Sequence, residues 1–331
     1  MSAFDSGLTF QQTPGLVEYP EYDVDIVSPE LPCGSAWLVN CLLELDVPVF
    51  KPWNANVPGE WEALGNYHYR YASAEEPWQR SLPALQHGRR FHFLAQPVPR
   101  VQHVWPYFYP GTAKTIFFVR DPRDALYSAW RRQRGTNPVA KDVDFAAFAS
   151  GRYHHYPLTW SEYVLLFLRL WQAALAEREY LVLRYEDYRH DAAATLHRAV
   201  EFLGMKVDAV ALHRAAQLST FERLQRIEAD LLACGAIDRP LNRAGCAYEY
   251  RHCFDAAMHC ALGPRFASVY AWLGYEADLS DVPAPTSHAV CDIEPFLRAM
   301  QADRLPAQAQ AWLRERVAAV TADIALDRWP A

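Results

Sequence analysis

The chain predicts an α/β fold with a central parallel sheet flanked by helices, and three observations carry that prediction. Short apolar runs alternate with helical ones: "DVDIVS" (Asp23 to Ser28) before "SAWLVNCLLEL" (Ser35 to Leu45), and "KTIFFVRD" (Lys114 to Asp121) before "PRDALYSAWRRQ" (Pro122 to Gln133). The run at 114–121 is almost continuously apolar, as a parallel strand covered on both faces must be. The chain has 331 residues, of which 51% are hydrophobic and 14% aromatic, enough to bury a large core.

The elements follow in order. Residues 1–21 read as a polar arm. Asp23 to Ser28 is the first strand, and the loop "SPELPCGS" hands it to the first helix. "VPVF" (Val47 to Phe50) is a second short strand. Residues 52–90, rich in Pro, Trp, Tyr and His without a clean period, read as an irregular aromatic-lined excursion of the kind that often carries a binding surface. "RVQHVW" (Arg100 to Trp105) is another strand, and Pro122 suits the first turn of the helix it opens.

"PLTWSEYVLLFLRLWQAALA" (Pro157 to Ala176) is a strongly amphipathic helix. "YLVLRYEDYRHD" (Tyr180 to Asp191) is a strand running into a loop, and Gly204 closes the helix that begins at Ala192. Strands alternating with helices are the pattern of a parallel sheet covered on both faces. After Asp281, "VPAPTSH" reads as a linker. It leads to a helix from Gln308 to about Asp327 with an apolar stripe at Leu313, Val317, Val320 and Ile324. That stripe either docks on its own domain or forms a contact between two copies, which leaves a homodimer open.

Composition limits the function. A formal net charge of −7 implies no general affinity for nucleic acid, acidic polysaccharide or an anionic membrane, so any anion site is a local cluster of donors. The start "MSAFDSGLTF" lacks the basic-then-apolar pattern of a signal peptide. "YVLLFLRLW" is far too short to span a bilayer. Seven cysteines, an odd count, point to reduced thiols and a cytoplasmic location. Cys246, Cys253 and Cys260 recur every seven residues, which is two helical turns on one face rather than the close pairing of zinc ligands, so no metal is expected.

The chemistry sits in two segments. Pro, Cys, Gly and Ser between a strand and a helix suit a tight loop whose backbone N–H groups cradle an anion, yet "LPCGSAW" holds no lysine or arginine. In "VRDPRDALYS" a central strand ends at Arg120, and a helix presents Ser128 two turns in. A guanidinium fork and a hydroxyl could both reach one phosphate. Taken alone, "RDPRD" is equally a helix start in which Asp121 caps and Arg123 pairs with a neighbouring acid.

Together these segments resemble the PAPS-dependent sulfotransferases of the cytosolic type, over about residues 22–275. "FFVRDPRDALYSAW" resembles their 3′-phosphate segment, which would place Arg120 and Ser128 on the 3′-phosphate of 3′-phosphoadenosine 5′-phosphosulfate (PAPS). "LPCGSAWL" is similar to the family's PKSGTTWL loop. The resemblance therefore puts Cys33, Gly34, Ser35 and Ala36 around the 5′-phosphosulfate and Trp37 on the adenine. "PRVQHVWP" resembles the PRxxxTHLP segment and puts His103 at the catalytic base. "RYEDYRHD", "LSTFERL" and "NRAGCAYEYR" match three further segments, implying nucleotide contacts from Tyr185, Ser219, Thr220, Arg243 and Gly245.

The resemblance implies a P-loop-like nucleotide-binding fold and sulfuryl transfer from PAPS, leaving the desulfated nucleotide PAP, to a hydroxyl or amine of a small molecule. It assigns residues 22–280 to the sulfotransferase domain and 281–331 to a linker and helical tail. Residues 52–90 and "GRYHHYPLTW" (Gly151 to Trp160) would line an acceptor pocket suited to an aromatic or amphipathic molecule. Two departures stand out: Pro32 and Val101 occupy the positions of the family's lysines. Lys51 is the first candidate to replace them, and a non-catalytic binder of PAP or PAPS is the alternative function. An ATP-binding P-loop needs G-x-x-x-x-G-K-[ST], which the loop lacks.

Overall fold

In the computed structural model the described residues are 24–45, 47, 49–52, 60–63, 90–92, 99–102, 114–136, 141–154, 156–233, 240, 244–254, 256–276, 292–300, 302–304 and 307–323. Among these residues seven strands form one sheet: β1 (Val24–Val27), β2 (Phe50–Pro52), β3 (Glu60–Ala63), β4 (Arg90–His92), β5 (Pro99–Gln102), β6 (Lys114–Val119) and β7 (Tyr180–Arg184). Their order is β4-β3-β2-β5-β1-β6-β7. From β2 to β7 every pairing is parallel, and β3 and β4 extend that edge antiparallel. The expected parallel sheet is present, with β1 paired to β5 on one side and β6 on the other.

Alternation along the central strands sends side chains into two separate cores. Ile116 and Phe118 of β6 join Val24 and Ile26 on one face, under α1 (Ser35–Glu44). Phe117 and Val119 join Val27 on the other, under α2 (Pro122–Thr136), α3 (Phe145–Ser150) and α4 (Trp160–Leu175). Helix α4 starts three residues later than its apolar pattern suggests. Thr159 caps it, accepting from the Glu162 N–H while the Glu162 carboxylate accepts from the Thr159 N–H.

Two expectations need correction. The stretch 52–90 contributes β3 and begins β4, so it is not wholly irregular. The segment after β7 is a short helix, α5 (Tyr185–His190), rather than a loop. Helices α6 (Ala192–Phe202), α7 (Ala209–Leu218) and α8 (Phe221–Ala233) come next, then α9 (Ala256–Leu273) and α10 (Glu294–Ala299). The last helix, α11 (Ala307–Asp323), buries Leu313, Val317 and Val320 in the α4 core, and Arg316 pairs with Glu177 just past α4. These three residues of its apolar stripe are therefore docked on this chain, and Ile324 lies outside the described residues. Among the described residues no helix is long and apolar enough to cross a membrane.

Candidate nucleotide site at the strand ends

The carboxyl ends of β1 and β6 lie side by side, and the candidate site is built on the loop that leaves β1 and the helix start that leaves β6. After β1 the chain makes two tight reversals, Leu31 N–H to the Pro29 carbonyl and Cys33 N–H to the Leu31 carbonyl, each at 2.7 Å. Gly34 then adopts φ +89°, in the left-handed region. A Cβ there would lie 2.6 Å from the Tyr185 ring, so both conformation and space demand glycine. Helix α1 opens directly at Ser35, whose hydroxyl accepts from Ser28 at 3.1 Å. The first N–H groups of such a helix have no intrahelical acceptor and face the loop.

Cys33 contributes backbone only. Its side chain is buried, and burial pushes its thiol up to about 12 although the neighbouring Arg120 charge pulls the other way, so it stays neutral near pH 7. Trp37 is 3% exposed, with Tyr188 stacked on its ring at 4.2 Å. In this conformation it is a core residue of α1, and stacking on a base would need a ring face to be uncovered.

After β6, Arg120 is the hub. Its Nε and Nη2 donate to Asp124 Oδ2 at 3.0 and 2.8 Å, Nη1 to the Pro32 carbonyl at 3.2 Å, and Nη2 to the Cys246 carbonyl at 2.8 Å. Its guanidinium carbon lies 4.4 Å from the centre of the Tyr185 ring. Burial disfavours its charge, but Asp124 and Tyr185 outweigh that and hold its pKa above the ordinary value. These four bonds use four of the five guanidinium N–H groups, which leaves one on Nη1 without a partner among the described residues.

The helix-start reading of "RDPRD" is the one the structure displays. Asp121 caps α2 by accepting the Arg123 N–H at 3.0 Å and binds the Arg123 guanidinium at 2.9 and 2.6 Å. Arg120 is left to the site. Ser128 lies two turns into α2 and is buried at 9% exposure. Glu186 and Asp187 do not act as a pair: Glu186 accepts the Asp121 N–H and the Tyr275 hydroxyl, and Asp187 binds Arg184. Burial holds the Glu186 carboxyl above the usual range against those bonds.

Ser219 ends α7 and is buried, and Thr220 beside it is half-buried. Gly245 adopts φ +66°, and a Cβ there would come within 2.5 Å of the Phe221 ring. The structure thus brings Pro32, Gly34, Arg120, Tyr185 and the 244–250 segment to one place. His103 and Arg243 lie outside the described residues, as does the side chain of Lys51, whose backbone pairs with Glu62 between β2 and β3. Sequence reasoning passed over Asp124. An Arg and an Asp four apart at a helix start would have signalled it.

A family model described as "Sulfotransferase domain" matches residues 88–262. That match spans more than half of the chain, and the protein belongs to the sulfotransferase family. Among curated relatives, human "Sulfotransferase 2A1" is 22% identical over 254 residues, covering 73% of this chain and 82% of its own. The guinea pig (Cavia porcellus) "3-beta-hydroxysteroid sulfotransferase" is 23% identical over 218 residues, covering 62% and 68%. Among solved structures, mouse sulfotransferase SULT7A1 complexed with PAP matches with a TM-score of 0.47 and 17% identity, covering 79% of this chain and 88% of that one.

Proposed function

We propose that residues 22–280 bind PAPS and transfer its sulfuryl group to a hydroxyl, or to an amine, of a small-molecule acceptor. One observation carries this reading: three segments that the family uses for the nucleotide meet at a single guanidinium, through the Arg120 bonds to the Pro32 and Cys246 carbonyls and its contact with Tyr185. Arg120, Ser128 and Arg243 hold the 3′-phosphate. Backbone N–H groups at Gly34, Ser35 and Ala36 hold the 5′-phosphosulfate without a cationic side chain in the loop.

In the reaction the acceptor oxygen attacks sulfur, the bond from sulfur to the bridging oxygen breaks, and PAP leaves with that electron pair. The acceptor proton goes to His103, whose ordinary pKa near neutrality suits a general base. Trp37, Tyr185, Ser219, Thr220 and Gly245 frame the nucleotide. The curated relative named for 3-beta-hydroxysteroids supports an amphipathic alcohol as the acceptor class.

A second reading rests on Pro32 and Val101, which take the places of the family's lysines. Charge building on the leaving oxygen then lacks its usual donors, each worth a few kcal/mol of barrier. Either Lys51 supplies that charge or the chain binds nucleotide without transfer. Labelled PAPS with a panel of alcohols, phenols and amines, followed by mass spectrometry, separates the two. Sulfated product supports transfer. PAP binding without product supports the binder, and equal thermal stabilisation by ATP and PAP counts against both, because only PAP carries a 3′-phosphate.

A further inference from the structure

We infer that Asp124 is a positioning residue of the nucleotide site, holding the 244–250 segment against Arg120; this rests on the nucleotide-binding function proposed for residues 22–280. Its side chain is fully buried, and four N–H donors converge on its two oxygens. Arg120 Nε and Nη2 reach Oδ2 at 3.0 and 2.8 Å, the Tyr248 N–H reaches the same oxygen at 2.8 Å, and the Tyr250 N–H reaches Oδ1 at 3.1 Å. One carboxylate therefore fixes the rotation of the guanidinium and the path of a loop more than a hundred residues away in the chain.

The loop carries an independent sign of being held. Tyr248 has φ +62° and ψ +25°, a left-handed conformation that is unfavourable for a non-glycine side chain. Its hydrogen bond to Asp124 is a restraint that keeps it there. The same segment places Gly245 against Phe221 and returns the Cys246 carbonyl to Arg120. Removing the carboxylate thus disturbs both halves of a phosphate clamp, although Asp124 itself points its oxygens at donors rather than at a ligand.

Charge and geometry make opposite forecasts for Asp124→Asn. If only charge mattered, deleting an anion beside Arg120 would tighten the binding of a phosphate. Geometry wins, because asparagine has one oxygen for four donors and turns an NH₂ toward at least one buried N–H. We expect the dissociation constant for PAP to rise about tenfold or more. The loss should appear in KM for PAPS, with kcat at saturating donor falling far less, whereas a merely structural role would lower melting temperature and active fraction and leave KM alone. Asp124→Glu, which keeps the charge, should recover part of the binding.

Calorimetric titration of PAP into the wild type and the two variants tests this. Wild-type protein that ignores PAP sinks the nucleotide reading itself. Wild-type binding with unchanged or tighter binding by Asp124→Asn sinks this inference alone. If the asparagine variant fails to fold, amide hydrogen exchange on the ligand-free wild type decides: the Tyr248 and Tyr250 amides should exchange at least about tenfold slower than unprotected amides and slow further with PAP. Unprotected exchange at both positions overturns the proposal.

Discussion

Two arginine–carboxylate pairs, equally buried, sit three residues apart at the start of α2, and they differ in their other partners. Arg123 is closed in: besides Asp121 it meets the Glu276 carbonyl at 2.9 Å and the rings of Tyr250 and Tyr270, each centred 4.6 Å from its guanidinium carbon. Arg120 instead spends two of its bonds on loop carbonyls, Pro32 and Cys246, and retains an N–H without a partner among the described residues. The pair walled in by aromatic rings is a bolt between α2 and α9. The pair that ends on loop carbonyls can exchange a carbonyl for a ligand oxygen. Under the function proposed above, the partners of the guanidinium separate scaffold from site.

The contrast is sharpest in paired substitutions. Arg123→Ala leaves Asp121 buried with only the residue-123 N–H as a donor, so we expect about 3–5 kcal/mol of lost stability in urea unfolding. PAP affinity of the protein that remains folded should fall less than it does in Arg120→Ala, because Arg123 reaches the 244–250 segment only through the Tyr250 ring. Arg120→Ala leaves Asp124 two backbone donors, so its stability cost is smaller, about 1–3 kcal/mol. PAP affinity should nevertheless fall at least tenfold, about the loss of one charge-assisted fork. If Arg120→Ala proves the more destabilising and binds PAP normally, the contrast is broken.

Glycines repeat it on a smaller scale. Gly34→Ala forces a Cβ onto Tyr185 at a left-handed φ and should cost about 1–3 kcal/mol. Gly135, inside α2 with nothing within 4 Å of an added Cβ, should gain about 0.5–1 kcal/mol as alanine. Thermal melts of the two variants should therefore shift in opposite directions. The smallest effect belongs to Glu186→Gln, which can still accept from the Asp121 N–H and donate to the Tyr275 oxygen. Burial raises the Glu186 pKa in the folded state, so below the unfolded pKa the charge costs nothing. Stability is then lost as pH rises from the unfolded pKa through the folded one. The glutamine variant lacks that loss, and its advantage over wild type should grow as pH rises above the unfolded carboxylate pKa in parallel unfolding curves.

Much of this was legible in the order of residues. The apolar runs at 23–28 and 114–121 became β1 and β6 because a strand covered on both faces needs no alternation to be visible, and the run at 180–184 became the edge strand β7. Arg120 was legible because a strand, a turn and a helix start in sequence fix where a side chain can go. β3 and β4 were not, because "EWEA" and "RFH" are short and carry little pattern of their own. The helix at 185–190 was missed, although Glu186 and Asp187 in its first turn favour one. The loop-holding role of Asp124 was not legible because the N–H groups it serves, at Tyr248 and Tyr250, lie 124 and 126 positions away.

Those separations bear on how the molecule is made. Leaving the ribosome from its N-terminus, the chain can pair β1 with β6 and raise α2 long before residue 246 exists. Until then Arg120 and Asp124 have each other but not the loop that completes them. Closing a segment of 126 residues is entropically slow compared with forming a helix, so the contact of Arg120 with the Cys246 carbonyl, part of the proposed nucleotide site, should be among the last to set. A nascent chain arrested before residue 244 would carry a folded-looking sheet and an unfinished binding site.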